Sequence, residues 1–459
     1  MWRFLEALIA GWWNILRSRR SARRAGSQGT ILLGYRVEED RPTEKKMTIS
    51  RTRLTTHIGV VGKTGSGKSS FLKALCLQFV IAGLGFFFLD LHGDATPFLL
   101  RAIAAEERRL GEDLSDRLIV IALSDREASV GLNPLEGSEP DFVRIAEFAE
   151  VLRQRWGLDH FGARTDELLR NALFVLSANG LTILELAPLL IDATFRAGLL
   201  PNVPNMEVRS YFESRYGEVS PQLQAVMREP ILNKVSAFTN DVRFRHIVGQ
   251  ARSTFSFKNA MDGNAWVILQ LEKGKHGPQA LTLASLLFTT AKNAIFAREG
   301  RTPFVMVLDE LQNLVSQSAD VETVLSEARK FGVGIVAANQ YLDQYPPSMR
   351  AALLSIGTHA FFQLSSADAT NVAQMLDGGR SLAERLKNLP QRHFVVKTGS
   401  EPWREAVVPK IADPGDSYTD LLRRSRAAHA RPRTEIEADI AARHKRFTAK
   451  PKEVLDDWE

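Results

Sequence analysis

The sequence predicts an α/β fold in which helices cover both faces of a mostly parallel β-sheet. Apolar runs bounded by turns alternate with helical patterns along much of the chain. These runs lack the polar alternation of half-exposed strands, so they are typical of parallel strands buried on both faces. Six such runs lie at residues 85–91, 118–122, 266–271, 304–309, 334–338 and 359–364.

A phosphate-binding pattern predicts what this sheet does. Residues 62–69 fit G-x-x-x-x-G-K-[ST] without a mismatch, between the apolar run 57–61 and a helical pattern from residue 71. The glycines let backbone N–H groups turn inward, and the start of the helix adds its positive dipole end. Lys68 then reaches the β- and γ-phosphates of ATP, and the Ser69 hydroxyl binds Mg²⁺. The predicted nucleotide-binding residues are Gly62, Lys63, Thr64, Gly65, Ser66, Gly67, Lys68, Ser69 and Ser70.

Two further strand ends carry polar residues that suit the same site. Asp309 and Glu310 end the run that begins at Phe304. An acidic residue there can hold Mg²⁺ through water, and the next carboxylate can deprotonate an attacking water, so we predict Asp309 as the metal residue and Glu310 as the catalytic base. Gln340 follows the next strand along the chain and is predicted to sense the γ-phosphate, although a polar strand-end cap is the alternative.

One long segment interrupts the alternation of strands and helices. Residues 140–262 follow helical patterns and include turn signals at 202–205 and 220–221. We interpret this segment as an all-helical domain inserted into the nucleotide-binding domain. The predicted order is an amphipathic helix and basic segment at 1–26, the nucleotide-binding domain at 27–139 and 263–412, the insertion at 140–262, and a basic tail at 413–459.

The N-terminal segment is apolar, rich in tryptophan and followed by arginines. Residues 1–16 would form a helix of about 24 Å, shorter than a hydrocarbon core of about 30 Å. The tryptophans favour the headgroup region and the arginines favour anionic lipid, so residues 1–24 are predicted to lie on an anionic membrane surface. Docking on a partner subunit is the alternative. The single cysteine, Cys76, excludes disulfides within the chain and cysteine-based metal sites.

Basic residues interleaved with aromatic ones give a candidate DNA-binding segment. Such a mixture neutralises phosphates and stacks on bases, but a solvated basic face with core aromatics fits equally well. The residues are Arg243, Phe244, Arg245, His246, Arg252, Phe255, Phe257 and Lys258. The tail at 413–459 is predicted to be extended in part, and either binds nucleic acid or keeps the end of the chain soluble.

Taken in order, these motifs resemble the HerA/FtsK superfamily and, within it, the coupling ATPases of conjugation and type IV secretion. The resemblance covers roughly residues 30–400 and is carried by the stretches 62–69, 89–94, 308–313, 325–332 and 338–342. It implies a RecA-like P-loop NTPase fold, bound ATP and Mg²⁺, and a hexameric ring of identical subunits that moves DNA. It also implies relaxase or type IV secretion components as partners, at the cytoplasmic face of a bacterial inner membrane. The insertion corresponds to the all-helical domain of the coupling proteins.

The sequence departs from this family at one arginine. Coupling proteins often have Phe-Arg on the strand after the sensor, where this chain has Phe362 and Gln363. Arg329 is therefore the candidate finger for a neighbouring subunit's γ-phosphate. A local ion pair with Glu327 is the alternative. His92 is interpreted as an ordinary hydrogen-bonding histidine near a strand end.

The function predicted from these features is a ring-forming ATPase that couples hydrolysis to DNA translocation. One alternative is a soluble, cytoplasmic HerA-like translocase acting in DNA-end processing or phage defence. The other is a receptor that changes shape with ATP and recruits protein cargo through the helical insertion.

Overall fold

The computed structural model describes residues 29–136, 142–157, 162–315 and 320–448. Within them the chain forms two compact units. The first, which we call the sheet unit, contains the described residues up to Leu123 together with Ser256–His429. The second, the helical unit, contains Ser124–Phe255 and the described residues from Ala430 onward. The amphipathic helix predicted at 1–26 lies outside the described residues.

The sheet unit is built on a mixed sheet of eleven strands among the described residues. Its order is β2-β1-β12-β11-β10-β3-β9-β8-β4-β7-β5. The strands are β1 (Thr30–Glu38), β2 (Arg41–Ser50), β3 (Ile58–Val61), β4 (Gly85–Asp90), β5 (Leu118–Ala122), β7 (Trp266–Gln270), β8 (Phe304–Leu308), β9 (Val333–Asn339), β10 (Thr358–Phe361), β11 (His393–Thr398) and β12 (Arg404–Val407).

The seven strands from β10 to β5 run parallel, and the other four pair antiparallel at one side of the sheet. β3, β4, β8 and β9 are buried along their whole length, as strands covered by helices on both faces must be. The predicted α/β fold with a mostly parallel sheet and RecA-like architecture is therefore confirmed. β1 and β2 pair with each other and continue the same sheet through β12.

Helices connect and cover these strands. Those of the sheet unit are Lys68–Ile81, Thr96–Leu110, Phe257–Asp262, Lys273–Phe296, Gln312–Val315, Asp320–Glu327, Pro347–Leu354, Ser366–Met375, Gly379–Lys387 and Thr419–His429. The helix Lys68–Ile81 packs on the sheet through Phe71, whose ring lies 5.8 Å from that of Phe362 and 5.2 Å from that of Phe394. The helix Thr96–Leu110 begins where Asp90 accepts hydrogen bonds from the Thr96 N–H and hydroxyl at 2.8 and 2.7 Å, which supplies the missing partners of a helix start.

The helical unit consists mainly of helices, with one two-stranded pair between β6 (Ala128–Ser129) and β13 (Arg431–Pro432). Its helices are Phe142–Trp156, Ala163–Ala178, Leu186–Ile191, Ala193–Leu199, Met206–Ser210, Pro221–Thr239, Val242–Val248 and Arg433–Thr448. The last of these packs Ile436 and Ile440 against Leu184. Part of the C-terminal segment thus completes the core of this unit.

The expectation that residues 413–459 are partly extended fails for most of the described part. Residues Thr419–His429 form a helix of the sheet unit, and Arg433–Thr448 form a helix of the helical unit. The reason is local pairing of the basic residues. The Arg424 guanidinium contacts Glu107, Asp113 and Asp420, and Arg443 donates to Glu185 at 3.1 Å.

Candidate nucleotide site

The phosphate-binding loop joins β3 to the helix Lys68–Ile81 at the carboxyl edge of the parallel strands. Gly65 and Gly67 have φ angles of 78° and 113°, which side-chain-bearing residues adopt only with strain. A Cβ on Gly67 would lie 2.8 Å from the Cα of Arg392. The glycine pattern is thus required by both the turn and the close approach of a second backbone segment.

Two backbone hydrogen bonds brace this loop. The Lys63 N–H donates to the Gln363 carbonyl at 2.8 Å, and the Arg392 N–H donates to the Ser66 carbonyl at 2.8 Å. The side chain of Gln363 donates to the Lys387 carbonyl instead. Gln363, which stands where the family often has arginine, therefore supports the loop through its backbone. Arg392 has no sequence motif that could have identified it.

The loop fits a bound phosphate chain. The Lys68 ammonium donates to the carbonyls of Gly62 and Lys63, the second at 3.1 Å, so it lies against the loop. Burial lowers the pKa of Lys68, while the carboxylates of Asp309 and Glu310 oppose that shift. The Ser66 hydroxyl is buried and has no hydrogen-bond partner in the structure. A buried cation and an orphaned hydroxyl in a glycine cradle are what a phosphate ligand would satisfy.

Asp309 and Glu310 follow β8, which lies between β4 and β9 in the sheet. Burial raises the pKa of Asp309 to about 6, with Glu310 adding to the rise and Lys68 opposing it. Ser69 is exposed in the first turn of the loop helix. No cluster of three or more histidine, cysteine or acidic side chains suited to a metal occurs in the part of the chain that the structure describes. Ser69 and Asp309 stay the predicted protein ligands of a Mg²⁺ that the nucleotide itself would help to hold.

Three side chains hold the Glu310 carboxylate. The Gln340 amide donates to Oε1 at 2.6 Å, the Asn313 amide donates to Oε2 at 3.1 Å, and His92 Nε2 lies 3.5 Å from Oε1. Burial alone would raise the pKa of Glu310, but the bond from Gln340 and the neighbouring His92 bring it below its ordinary value. Glu310 has a φ of 55°, a left-handed conformation that is uncommon outside glycine and is often found at functional sites.

A second layer of contacts orients the two amides. The Thr64 hydroxyl of the phosphate loop donates to Gln340 Oε1 at 3.2 Å. The Lys273 ammonium donates to Asn313 Oδ1 at 2.8 Å. The structure thus brings Thr64, Gln340 and Glu310 into one connected network and adds Asn313, Lys273 and His92 to it. Asn313 lies within the 308–313 stretch that carried the resemblance, whereas Lys273 lies in no recognised pattern.

Comparisons with known proteins agree with this geometry. Residues 43–191 match the family model "Helicase HerA, central domain". Among curated proteins, no sequence matches the chain. The match to the family model, together with the fold, confirms the resemblance to HerA/FtsK-type P-loop ATPases related to conjugation coupling proteins.

Solved structures show the same fold. The bacterial conjugative coupling protein TrwBdeltaN70 is 17% identical, with a TM-score of 0.58, and the match covers 87% of this chain and 93% of that one. The plasmid coupling protein TrwB in complex with ADP and Mg²⁺ is 18% identical, with a TM-score of 0.59, covering 86% and 93%. VirB4 of Thermoanaerobacter pseudethanolicus is 14% identical, with a TM-score of 0.55, covering 85% and 99%.

The candidate nucleotide site does not include Arg329 of the same chain. Arg329 lies in the 3₁₀ turn Ala328–Phe331, immediately before β9, whereas the phosphate loop lies where β9 ends. It is exposed, and Glu327 pairs with Lys330 at 3.5 Å. The ion pair between Arg329 and Glu327 that we considered is therefore not the one formed. Arg329 sits at the edge of the sheet opposite its own phosphate loop.

Several basic residues of the segment at 243–258 form ion pairs with acidic residues, and two of its aromatic rings are buried. Arg243 pairs with Asp241 at 2.7 Å, and Arg245 and His246 both contact Glu437, His246 at 2.6 Å. Phe244 and Phe257 are buried. Neighbouring acids therefore neutralise Arg243 and Arg245, and the hydrophobic cores enclose the rings of Phe244 and Phe257, whereas Arg252 stays exposed. DNA binding through this segment stays a prediction.

Proposed function

We propose that the chain is an ATPase that couples hydrolysis to the movement of DNA, as part of a ring of identical subunits. The observation that carries the proposal is the Glu310 carboxylate, held beside the phosphate loop by Gln340, which also accepts a hydrogen bond from Thr64 of that loop. A carboxylate in this position can orient and deprotonate a water for attack on the γ-phosphate. The hydrogen bonds through Gln340 therefore connect Glu310 to the loop that would hold the phosphates of ATP.

The residues divide the work of binding ATP and Mg²⁺ among them. Backbone N–H groups of residues 65–69 and the Lys68 ammonium would hold the phosphates, and Ser69 with Asp309 would hold the metal. Bound Mg²⁺ neutralises charge on the phosphates during transfer. Ser70, which follows Ser69 on the same helix, is proposed to lie beside the nucleotide.

Hydrolysis requires Glu310 to exchange one of its present partners for water. Gln340 is the partner suited to this exchange, because its amide can donate to the γ-phosphate and its oxygen can accept from the lytic water. Arg329 is proposed to complete the site of a neighbouring subunit, since its exposed guanidinium lies at the edge of the sheet opposite its own loop.

One similar protein supports the finer part of the proposal. TrwB is described as a plasmid coupling protein and has been solved with ADP and Mg²⁺. Family resemblance therefore favours DNA as the substrate, a hexamer as the assembly, and relaxase or type IV secretion components as partners. The decisive test measures ATP turnover of the full chain with and without DNA, together with the mass of the particle. We expect turnover to rise with DNA in a particle of several subunits. DNA-independent turnover by a monomer would contradict the proposal.

The shared site can be tested by mixing subunits. Arg329→Ala rings and Lys68→Ala rings should each be inactive, because one lacks the finger and the other the loop. Mixed rings should regain part of the activity, since some sites then combine an intact loop with an intact finger. Absence of rescue in mixed rings that are verified by mass would remove Arg329 from the mechanism.

Attachment to a membrane surface is proposed from residues 1–24. Among the described residues, no helix is long and apolar enough to span a bilayer. Deleting residues 1–24 should release the protein from vesicles that contain anionic lipid and leave ATP turnover unchanged. Vesicle binding that survives the deletion would favour docking on a partner subunit as the role of residues 1–24. Absence of vesicle binding by the full-length protein would favour the cytoplasmic alternative, a HerA-like translocase in DNA-end processing or phage defence.

A second candidate is a receptor that changes shape with ATP and binds protein cargo. One observation favours it: a cavity of about 580 Å³ in the helical unit, lined by Phe142, Phe174, Met206 and Tyr211 among others. The Tyr211 hydroxyl is buried there and has no hydrogen-bond partner in the structure. Tight ATP binding without measurable turnover, with or without DNA, would select this function.

A further inference from the structure

The turn between β7 and the following helix places one lysine beside the base network. The helix Lys273–Phe296 is broken at Gly277, whose φ and ψ are 62° and −149°, so residues 273–276 form a separate turn. The Lys273 N–H donates to the Leu91 carbonyl at 2.7 Å, which fixes the turn to the strand end that carries His92. Its ammonium reaches Asn313 at 2.8 Å.

We propose that Lys273 and Asn313 are positioning residues that hold the Glu310 carboxylate in its productive orientation. This inference rests on the proposed hydrolytic function of Glu310. It assigns a role to a residue that belongs to neither the phosphate loop nor the acidic pair.

The argument follows from which groups donate and which accept. The side chain of Lys273 has only donors, so it requires the oxygen of the Asn313 amide. That choice turns the amide nitrogen toward Glu310, where it donates to Oε2 at 3.1 Å and to the backbone carbonyl at 3.1 Å. An ionised carboxylate only accepts, so the reverse orientation of the amide would set two oxygens against each other. Lys273 therefore selects the one amide orientation that supports the base.

The other side of the carboxylate lacks such strict selection. Gln340 also donates to the carboxylate, but its oxygen faces the Thr64 hydroxyl, which rotates and can donate or accept, so no cation fixes this amide when a nucleotide arrives. Asn313 cannot reverse while Lys273 faces it. We infer that Glu310 is held on its Oε2 side by a fixed arm and on its Oε1 side by a movable arm.

The test measures kcat, KM and ATP affinity of full-length Lys273→Met. Loss of the lysine removes the donor that holds the Asn313 oxygen, so the amide is held on one side only, and kcat should fall about tenfold. ATP affinity should stay within about twofold of the parent, because the phosphate loop is untouched. Lys273→Arg, which also only donates, should recover most of the turnover.

Lys275→Met is the matched control. Lys275 lies on the same turn but pairs with Glu272 at 3.1 Å, so its loss should leave kcat unchanged. Asn313→Ala should be slow, and Lys273→Met combined with Asn313→Ala should be no slower than Asn313→Ala alone, since the lysine acts through the amide.

Three results would overturn the inference. They are parental kcat in Lys273→Met, a multiplicative loss in the double variant, or an equal loss in Lys275→Met. If Lys273→Met does not fold, Asn313→Ala with parental kcat overturns the inference by itself. The proposed function fails separately, when the parent does not hydrolyse ATP or when Glu310→Gln turns over as fast as the parent.

Discussion

Titratable side chains lie at both edges of the parallel strands in the sheet unit, but the groups they contact differ between the two edges. At the carboxyl edge, Lys68, Asp309 and Glu310 interact with one another and face the phosphate cradle. The amino edge also has side chains with little exposure: Arg298 and His57 are buried, and Arg117 is half-buried. There, however, the contacts are mostly with backbone groups.

Arg298 shows how the amino edge uses a cation. Its side chain is completely buried, donates to Asp262 at 2.8 Å, and donates to the carbonyls of Phe331 at 3.0 Å and Thr302 at 2.9 Å. Those carbonyls lie just before β9 and β8. The guanidinium therefore ties two strand starts together, which is a structural role.

Arg117 and His57 also form hydrogen bonds with backbone groups at this edge. Arg117 donates to the carbonyls of Gly83 and Asn264, and its guanidinium lies 4.2 Å from the centre of the Trp266 ring. Burial lowers the pKa of Arg117 to about 10. His57 accepts a hydrogen bond from the Ile335 N–H at 3.0 Å. At the amino edge the cations therefore hold strand starts together, whereas at the carboxyl edge Lys68 faces the phosphate cradle.

The largest difference between the edges should appear on removing one cation from each. Lys68→Met should lower ATP affinity by at least about 100-fold, since the charge that meets the phosphates is lost. Thermal denaturation without nucleotide should change little, because burial already disfavours this charge. A large loss of stability without a loss of affinity would reverse the assignment of the carboxyl edge.

Arg298→Met should show the opposite behaviour. Its loss leaves Asp262 and two carbonyls without their donor, so the free energy of unfolding should fall by about 2–4 kcal/mol. Denaturant titration measures this change, and Arg298→Lys should recover part of it. ATP affinity of the folded fraction at low temperature should match the parent. A specific loss of affinity would show that the amino edge takes part in nucleotide binding.

His57 should give a smaller, pH-dependent effect. Burial lowers its pKa to about 4, so between about pH 6.5 and 4 the unfolded chain binds a proton that the folded chain does not. Stability from this residue is therefore complete above pH 6.5 and decreases as the pH falls, by about 1 kcal/mol at pH 5.5. His57→Asn, which keeps an acceptor for the Ile335 N–H, should lose that pH dependence. Equal slopes for both proteins would show that His57 does not titrate in this way.

The sequence predicted the carboxyl edge better than any other part of the molecule. Spacing determines the phosphate loop, and Asp309, Glu310 and Gln340 were predicted from their positions after apolar runs. Parallel strands bring such positions together whatever the loops do. Asn313, His92 and Gln340 therefore meet Glu310 as the strand order requires.

Other features depend on contacts between distant segments. Lys273 and Arg392 reach the site from turns whose geometry no local pattern encodes. The basic segment at 243–258 fits nucleic acid by composition, but Glu437, nearly 200 residues along the chain, neutralises two of its members. Composition does not reveal such a distant partner. The residues of a spaced motif, in contrast, act together within one short stretch of sequence.

The most direct test of the account is Glu310→Gln, with ATP affinity and turnover measured on the same preparation. The substitution keeps the shape of the side chain and leaves the phosphate loop intact, but removes the base. ATP affinity should stay within a few-fold of the parent, and turnover should fall by about 10²–10⁴-fold. Turnover equal to that of the parent would contradict the assignment of Glu310 and, with it, the reading of the carboxyl edge as a hydrolytic site.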